Sequence, residues 1–184
     1  MSRGRCAFIR RNSCYEGSVI RYCYLDASAL VKRYTLETGS VMVHNLLDRL
    51  LPLRPTRLLI SWLGFLEVVA VLNRHHNDGR LTKQLFQQAM LRLSEEAAQM
   101  RFLTISDEIA ARALPVMLRH NLNASDALYL QQVLDWQAEH DARTDMIILI
   151  AADERLLRAA HAEGVETLSP ENDPLDRADN LLAI

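Results

Sequence analysis

The chain has 184 residues, enough for one domain with a substantial hydrophobic core and too few to require a second. Hydrophobic residues make up 49% of it and charged residues 24%, a globular balance that argues against a disordered chain. The formal net charge of -2 excludes the strongly basic overall field of many nucleic-acid-binding proteins. A nucleic-acid ligand would therefore have to be met by local basic groups or by a metal ion.

The first 20 residues show no hydrophobic periodicity, and we interpret residues 1–20 as a loose N-terminal extension. Arginines interrupt its only apolar patch, residues 7–9, so we predict neither a signal peptide nor secretion. No stretch of the chain approaches the length of an apolar membrane span. Cys6, Cys14 and Cys23 match neither a zinc motif nor a disulfide framework, which favours reduced thiols in a cytoplasmic protein.

The first half of the chain alternates short apolar strands with helices. The predicted elements are a strand over residues 22–25, helices over 28–34 and 40–50, a strand over 57–60 and a helix over 64–76. Ser40 is a candidate cap for the second helix, and Asn77-Asp78-Gly79 is a strong turn signal that ends the third.

The second half continues the alternation. The predicted elements are a helix from a Thr82 cap towards residue 99, a strand over 102–105, helices over 107–120 and 125–139, a strand over 146–150, a helix over 153–163 and a strand over 165–168. Residues 146–150 (MIILI) are the most apolar strand and are predicted to be central. We interpret residues 171–184 as a polar, frayed C-terminal tail.

This order of elements predicts the fold class. Short apolar strands separated by helices favour a mostly parallel central sheet of about four to five strands with helices on both faces, a three-layer α/β/α sandwich. The predicted domain spans residues 21–170.

Three acidic residues lie where predicted helices begin. Asp26 and Asp153 each follow an apolar strand, and ligands of open α/β sheets bind at the carboxyl ends of strands. Asp126 lies in the first turn of its helix. Capping explains the first two equally well, and the helix dipole favours a carboxylate at the third position whatever its function.

Glu67 is harder to explain as an ordinary structural residue. It lies in the middle of a nearly all-apolar helix, and its neighbours one turn away are Leu63, Gly64, Ala70 and Val71, none of which is a cation. A buried, unpaired carboxylate costs several kcal/mol, so Glu67 requires a partner, a proton or a metal. A solvent-facing position on a thin polar stripe is the alternative.

Four segments carry a family resemblance. They are residues 24–34 (YLDASALVKRY), 37–40 (ETGS), 125–130 (SDALYL) and 152–157 (ADERLL). In this order they resemble the PIN-domain family, and within it the VapC-type toxins of bacterial toxin–antitoxin pairs, over residues 22 to 170. The resemblance implies a small α/β/α sandwich.

The resemblance also implies a site and partners. The family's four acidic positions fall on Asp26, Glu67, Asp126 and Asp153, and its supporting hydroxyl falls on Ser28. In such proteins these residues hold Mg²⁺ or Mn²⁺ and cut RNA. We expect Asp26 and Asp126 to be direct ligands, Asp153 a direct or water-mediated one, and Glu67 to complete the shell or orient the attacking water. A homodimer and an antitoxin protein whose C-terminal segment blocks the site are also implied.

Two departures from the family pattern keep an alternative open. Ala151 stands where the family often has Thr or Ser, and Asn123 stands where a basic residue is common. The alternative is a catalytically weak or inactive PIN-like module that binds RNA or protein. A haloacid-dehalogenase-type phosphatase is disfavoured because it needs a second Asp where this chain has Ser28. A purely structural domain would leave the four carboxylates scattered.

Overall fold

The computed structural model describes residues 19–182, so nearly all of the predicted N-terminal extension, with Cys6 and Cys14, lies outside the described residues. The five strands are β1 (Ile20–Leu25), β2 (Leu58–Ser61), β3 (Arg101–Leu103), β4 (Asp145–Ile150) and β5 (Glu166–Leu168). The helices are α1 (Ala27–Leu30), continued by a 3₁₀ turn (Val31–Arg33), α2 (Ser40–Leu50), α3 (Trp62–Asn77), α4 (Lys83–Ala97), α5 (Asp107–His120), α6 (Ala124–Glu139), α7 (Glu154–Ala162) and α8 (Leu175–Leu182).

The five strands form one sheet in the order β3-β2-β1-β4-β5, and every neighbouring pair is parallel. The predicted fold class is therefore confirmed. The central strand is β1, however, and β4, which was predicted to be central, lies beside it. Leu25 is paired with Ile150, so the carboxyl ends of the two strands are level. The Asp26 amide then donates to the Ile150 carbonyl at 2.9 Å, which places the first acidic residue at this edge.

The core lies in two layers because successive side chains of a strand point to opposite faces of the sheet. Cys23 and Leu25 of β1 pack into the layer that holds α1 to α4 and α8. Tyr24, between them in sequence, packs into the layer formed by α5, α6 and α7. Strands buried on both faces read as continuous apolar runs, which is why the sequence pattern located them.

The C-terminal segment differs from the prediction of a frayed tail. It forms α8, and Ala178 and Leu182 of this helix are buried against the layer that contains α2. Arg49 of α2 pairs with Asp179 of α8. The segment is polar overall but amphipathic, so only its apolar face enters the core, and a mean polarity does not reveal this.

The start of α2 also differs from the prediction. Its N-cap residue is Gly39 at φ 86°, and Ser40 is the first helical residue. The Ser40 hydroxyl instead donates to the Thr35 carbonyl at 2.9 Å. A Cβ at position 39 would lie 2.8 Å from the Pro170 carbonyl oxygen, so both the positive φ and this close approach require glycine. The predicted Thr82 cap is confirmed, since its side chain accepts from the Leu85 amide.

Cys23 is a free, buried thiol, as predicted, and burial raises its pKa to about 12. Within residues 19–182, no helix is both long and apolar enough to cross a lipid bilayer.

Candidate functional site

Asp26 lies at the end of the central strand and is 5% exposed. Its carboxylate Oδ2 accepts hydrogen bonds from the amide of Ser28, at 3.0 Å, and from the Ser28 hydroxyl. Asp26 is also the N-cap of α1, so a capping role is compatible with a place in the site. Burial raises the pKa of Asp26, and the charge of Glu67 adds to this, while the Ser28 hydrogen bonds oppose it.

Ser28 connects the two loops that follow β1 and β4. Its hydroxyl donates to Asp26 and accepts from the Ala152 amide at 2.9 Å. The residues joined by the second bond are 124 positions apart in sequence. Ser28 therefore fixes the Asp26 carboxylate relative to the loop that carries Asp153.

Asp126 is 7% exposed and lies in the first turn of α6, but it does not cap this helix. The cap is Asn123, whose side chain accepts from the Asp126 amide at 2.8 Å. Asp126 Oδ2 is buried and, among the described residues, has no hydrogen-bond partner. Burial, followed by the charges of Asp26 and Asp153, raises the pKa of Asp126 to about 6.

Glu67 is half-buried, and its partner is on another helix. The Tyr129 hydroxyl of α6 donates to Glu67 Oε2 of α3 at 2.6 Å. Burial, and then this hydrogen bond, raises the pKa of Tyr129. The expectation that Glu67 lacks a partner on its own helix is correct, but the carboxylate is not unpaired.

Sequence reasoning assigned no role to Tyr129. The available signal was its position three residues after Asp126, which places both side chains on one face of α6. A second missed contact lies nearby, where the buried Tyr24 hydroxyl donates to Gln132 Oε1 at 2.6 Å. Gln132 in turn donates to the Thr104 carbonyl at 3.0 Å. These two bonds connect β1 to α6, and α6 to the segment that follows β3.

Asp153 is the N-cap of α7, as its position predicted. Its Oδ1 accepts from the amides of Arg155 and Leu156 at 2.7 and 3.2 Å. Its Oδ2 lies 3.7 Å from the Arg155 guanidinium, and its side chain is 33% exposed. Asp153 is therefore the most solvent-accessible of the three aspartates.

The four carboxylates act on one another electrostatically. The charges of Asp26, Asp153 and Glu67 all raise the pKa of Asp126, whereas Arg155 lowers it. Carboxylate oxygens are the ligands that Mg²⁺ and Mn²⁺ prefer, and the unpartnered Asp126 oxygen fits such a cation. Over residues 19–182, however, no three acidic, His or Cys side chains are grouped closely enough to hold a metal ion. Mg²⁺ keeps several waters, so fewer direct carboxylate ligands suffice.

Lys32, Arg33 and Arg155 are candidate substrate-binding cations because they lie close to Asp26 and Asp153 in sequence, but two of the three are unavailable. Lys32 and Arg33 are both 3% exposed. Lys32 Nζ lies 2.5 Å from Glu171, and Arg33 forms an ion pair with Glu96 at 2.7 Å. Glu96 is itself buried. Of the three candidates only Arg155 is accessible, with 56% of its side chain exposed.

Comparisons with known proteins agree with this architecture. PAE2754 from Pyrobaculum aerophilum is 18% identical with a TM-score of 0.60, covering 89% of this chain and 96% of that one. FitAcB from Neisseria gonorrhoeae is 15% identical with a TM-score of 0.59, covering 82% and 99%. A toxin–antitoxin complex from Klebsiella pneumoniae is 17% identical with a TM-score of 0.53, covering 80% and 97%. Identities this low show a shared fold.

Sequence comparison identifies the family. No curated protein matches this chain. The family model described as PIN domain matches residues 23–162, a range that begins within β1 and contains β2, β3, β4 and all four acidic residues. Since this match covers most of its length, the chain belongs to the PIN-domain family.

Proposed function

We propose that this PIN-domain protein is a divalent-metal-dependent endoribonuclease that hydrolyses RNA phosphodiester bonds. The observation that carries the proposal is the buried, unpartnered Oδ2 of Asp126, surrounded by the charges of three other carboxylates. Such an arrangement is unfavourable until a cation neutralises it, because burial and like charges both disfavour ionisation. PIN domains are a family of nucleases, which supports the reaction class.

Each residue then has a role. A bound Mg²⁺ or Mn²⁺ would activate a water molecule and neutralise charge on the phosphate and the leaving oxygen. Asp26 and Asp126 would be direct ligands, and Asp153 would bind directly or through water. Glu67, oriented by its hydrogen bond from Tyr129, would complete the shell or orient the attacking water. Ser28 would hold the Asp26 carboxylate in place.

We also propose that the protein is the toxin of a VapC-type toxin–antitoxin pair, acting as a homodimer that an antitoxin protein blocks. One of the similar structures is a toxin–antitoxin complex from Klebsiella pneumoniae, which supports a protein partner. Exposed apolar side chains support it as well. Leu36 is 99% exposed and Leu85 51%, and both line a surface cavity of about 290 Å³. Exposed leucines grouped in this way are typical of protein interaction surfaces.

The alternative function is a catalytically inactive PIN-like module that binds RNA or protein. Two observations favour it. No preformed group of three metal-binding side chains is present in the described part of the chain. The positions that depart from the family pattern also provide no extra polar group towards a phosphate, since Ala151 is buried and the Asn123 side chain caps α6.

A ribonuclease assay with Mg²⁺ or Mn²⁺ separates these functions. We expect the parent protein to cut RNA and Asp26→Asn to lose about 100-fold or more in rate, because a ligand and part of the neutralising charge are removed. Asp107→Asn is the matched control: Asp107 begins α5 but is exposed and outside the site. Cleavage by Asp26→Asn at the parent rate would refute the site, and an inactive parent would favour the binding module.

A further inference from the structure

A second cavity opens beside the acidic residues. Its volume is about 280 Å³, and its lining consists of His120, Asn121, Arg155, Arg158 and Ala159. No carboxylate is among these residues. We call it the arginine cleft.

The arginine cleft adjoins the acidic site through two helix starts. One wall is the first turns of α7, a helix that Asp153 caps. The other wall is the turn between α5 and α6, where Asn121 lies two residues before Asn123, the cap of the helix that carries Asp126. The charge of Arg155 acts on Asp126 directly. A chain bound across Asp126 and Asp153 therefore passes close to the cleft.

The two arginines are available to a bound anion. Arg155 and Arg158 are three residues apart, on one face of α7, with 56% and 68% of their side chains exposed. Their carboxylate contacts are single and at least partly exposed: Asp153 lies 3.7 Å from Arg155, and Glu154 lies 3.3 Å from Arg158. Exposed pairs of this kind contribute little, whereas guanidinium groups bind phosphate oxygens through strong, charge-assisted hydrogen bonds.

Glu163, an acidic residue that contacts His120 of the cleft, is paired with basic side chains. Glu163 lies 2.5 Å from the Arg119 guanidinium and 2.7 Å from His120 Nε2. The His120 hydrogen bond and Arg119 lower the pKa of Glu163, so it stays ionised and holds the His120 ring in position. Glu163 is therefore paired with Arg119 and His120, and the basic side chains that line the cleft as possible anion ligands are Arg155 and Arg158.

We propose that the arginine cleft binds a backbone phosphate of single-stranded RNA next to the scissile bond, with Arg158 as a substrate-positioning residue. This inference rests on the proposed function in taking RNA as the substrate. Arg158 follows Asp153 by five residues, about 7.5 Å along a helix at 1.5 Å per residue. The contact neutralises phosphate charge and carries no base specificity.

Binding measurements without cleavage test this inference. A fluorescent single-stranded RNA is titrated in EDTA, with anisotropy as the signal, over a series of KCl concentrations. Arg158→Ala should weaken binding about 3- to 10-fold and reduce the slope of log Kd against log salt by about 0.7, the value for one phosphate contact on a single strand. Arg158→Lys should retain the slope, because the charge is kept.

The control is Arg143→Ala. Arg143 has 88% of its side chain exposed and pairs with one exposed acid, Asp141, before the amino end of β4. We expect it to leave both Kd and slope unchanged. Parent-like binding by Arg158→Ala, or no salt-dependent RNA binding by the parent, would overturn the arginine cleft. If the parent binds RNA through Arg158 but never cuts it with metal, the cleft stands and the nuclease proposal fails. If the parent cuts RNA but Arg158→Ala binds RNA as the parent does, the nuclease proposal stands and the arginine cleft fails.

Discussion

At the scale of single residues, Asp126 changes the interpretation most. From sequence it was one of three acids with an ordinary explanation at a helix start, and Glu67 was the one that demanded an explanation. In the structure Glu67 accepts from Tyr129, while a buried oxygen of Asp126 has no partner among residues 19–182. The strongest local indication of a cation site therefore belongs to Asp126.

The raised pKa of Asp126 predicts a pH-dependent stability without metal. Its folded pKa of about 6 lies above the ordinary value of 3.8, so ionisation at neutral pH destabilises the folded state. This cost is absent below pH 3.8, grows as pH rises through 6 and is complete above it. Asp126→Asn should thus stabilise the metal-free protein by on the order of 1–3 kcal/mol at pH 8 and by less towards pH 4.

Urea unfolding in EDTA at several pH values measures this gain. Asp107→Asn, an exposed acid in the first turn of α5, should change the free energy of unfolding by less than about 0.5 kcal/mol. A less stable Asp126→Asn variant, or a gain that does not vary with pH, would contradict the prediction.

At the scale of elements, a buried ion-pair network joins the 3₁₀ turn after α1 to α2 and α4. Arg33 lies 2.6 Å from Asp48 and 2.7 Å from Glu96, and Glu96 also accepts from Tyr34 at 2.9 Å and Arg92 at 2.9 Å. Burial alone would raise the pKa of Glu96, but these donors outweigh it and lower the pKa. The network thus fastens α4 to the elements that follow Asp26.

Glu96→Gln should destabilise the protein by about 3 kcal/mol, because the Arg33 guanidinium stays buried with one counter-ion fewer. Thermal or urea unfolding at neutral pH measures the change. The adjacent Glu95→Gln removes the same charge from the exposed face of α4 and should be nearly neutral. Equal losses in the two variants would show that net charge, not the buried network, stabilises α4.

At the scale of the whole molecule, the net charge is small, but acidic and basic side chains are grouped at particular places. The formal net charge is -2, the four acidic residues lie at the carboxyl edge of the sheet, and two accessible arginines, Arg155 and Arg158, lie on α7, the helix that Asp153 caps. A divalent cation held by these carboxylates would bind the folded state and stabilise it. Metal binding should consequently be measurable as a global gain in stability.

Mn²⁺ at about 100 times its Kd should stabilise the parent protein by about 2.7 kcal/mol, because it binds the folded state alone. Thermal unfolding with increasing Mn²⁺ measures this gain. Asp26→Asn and Asp126→Asn should lose most of the shift, and Asp107→Asn should keep it. The same shift in parent and Asp26→Asn would place any Mn²⁺ elsewhere, and no shift in the parent would favour the inactive binding module.

Much of the fold was predictable from sequence because its signals are local. Apolar runs located all five strands, turn signals ended α3, and Asp26, Asp126 and Asp153 were located at helix starts, the first and third of them shortly after a strand. The frayed-tail prediction at α8 was wrong because only one face of a short polar helix is buried. The burial of Lys32 and Arg33 was not visible in the sequence because their partners, Glu171 and Glu96, are remote in sequence.

The sequence by itself determined the parallel α/β sandwich, because hydrophobic periodicity is a property of neighbouring residues, and its resemblance to the PIN-domain family singled out the four acidic residues. Only the tertiary structure decided how those acids are held. Tyr129 reaches Glu67 across 62 positions, and Ser28 reaches Ala152 across 124. Burial and distance through space, which set the Asp126 environment and form the arginine cleft, depend on packing between distant segments and leave no periodic pattern in the chain.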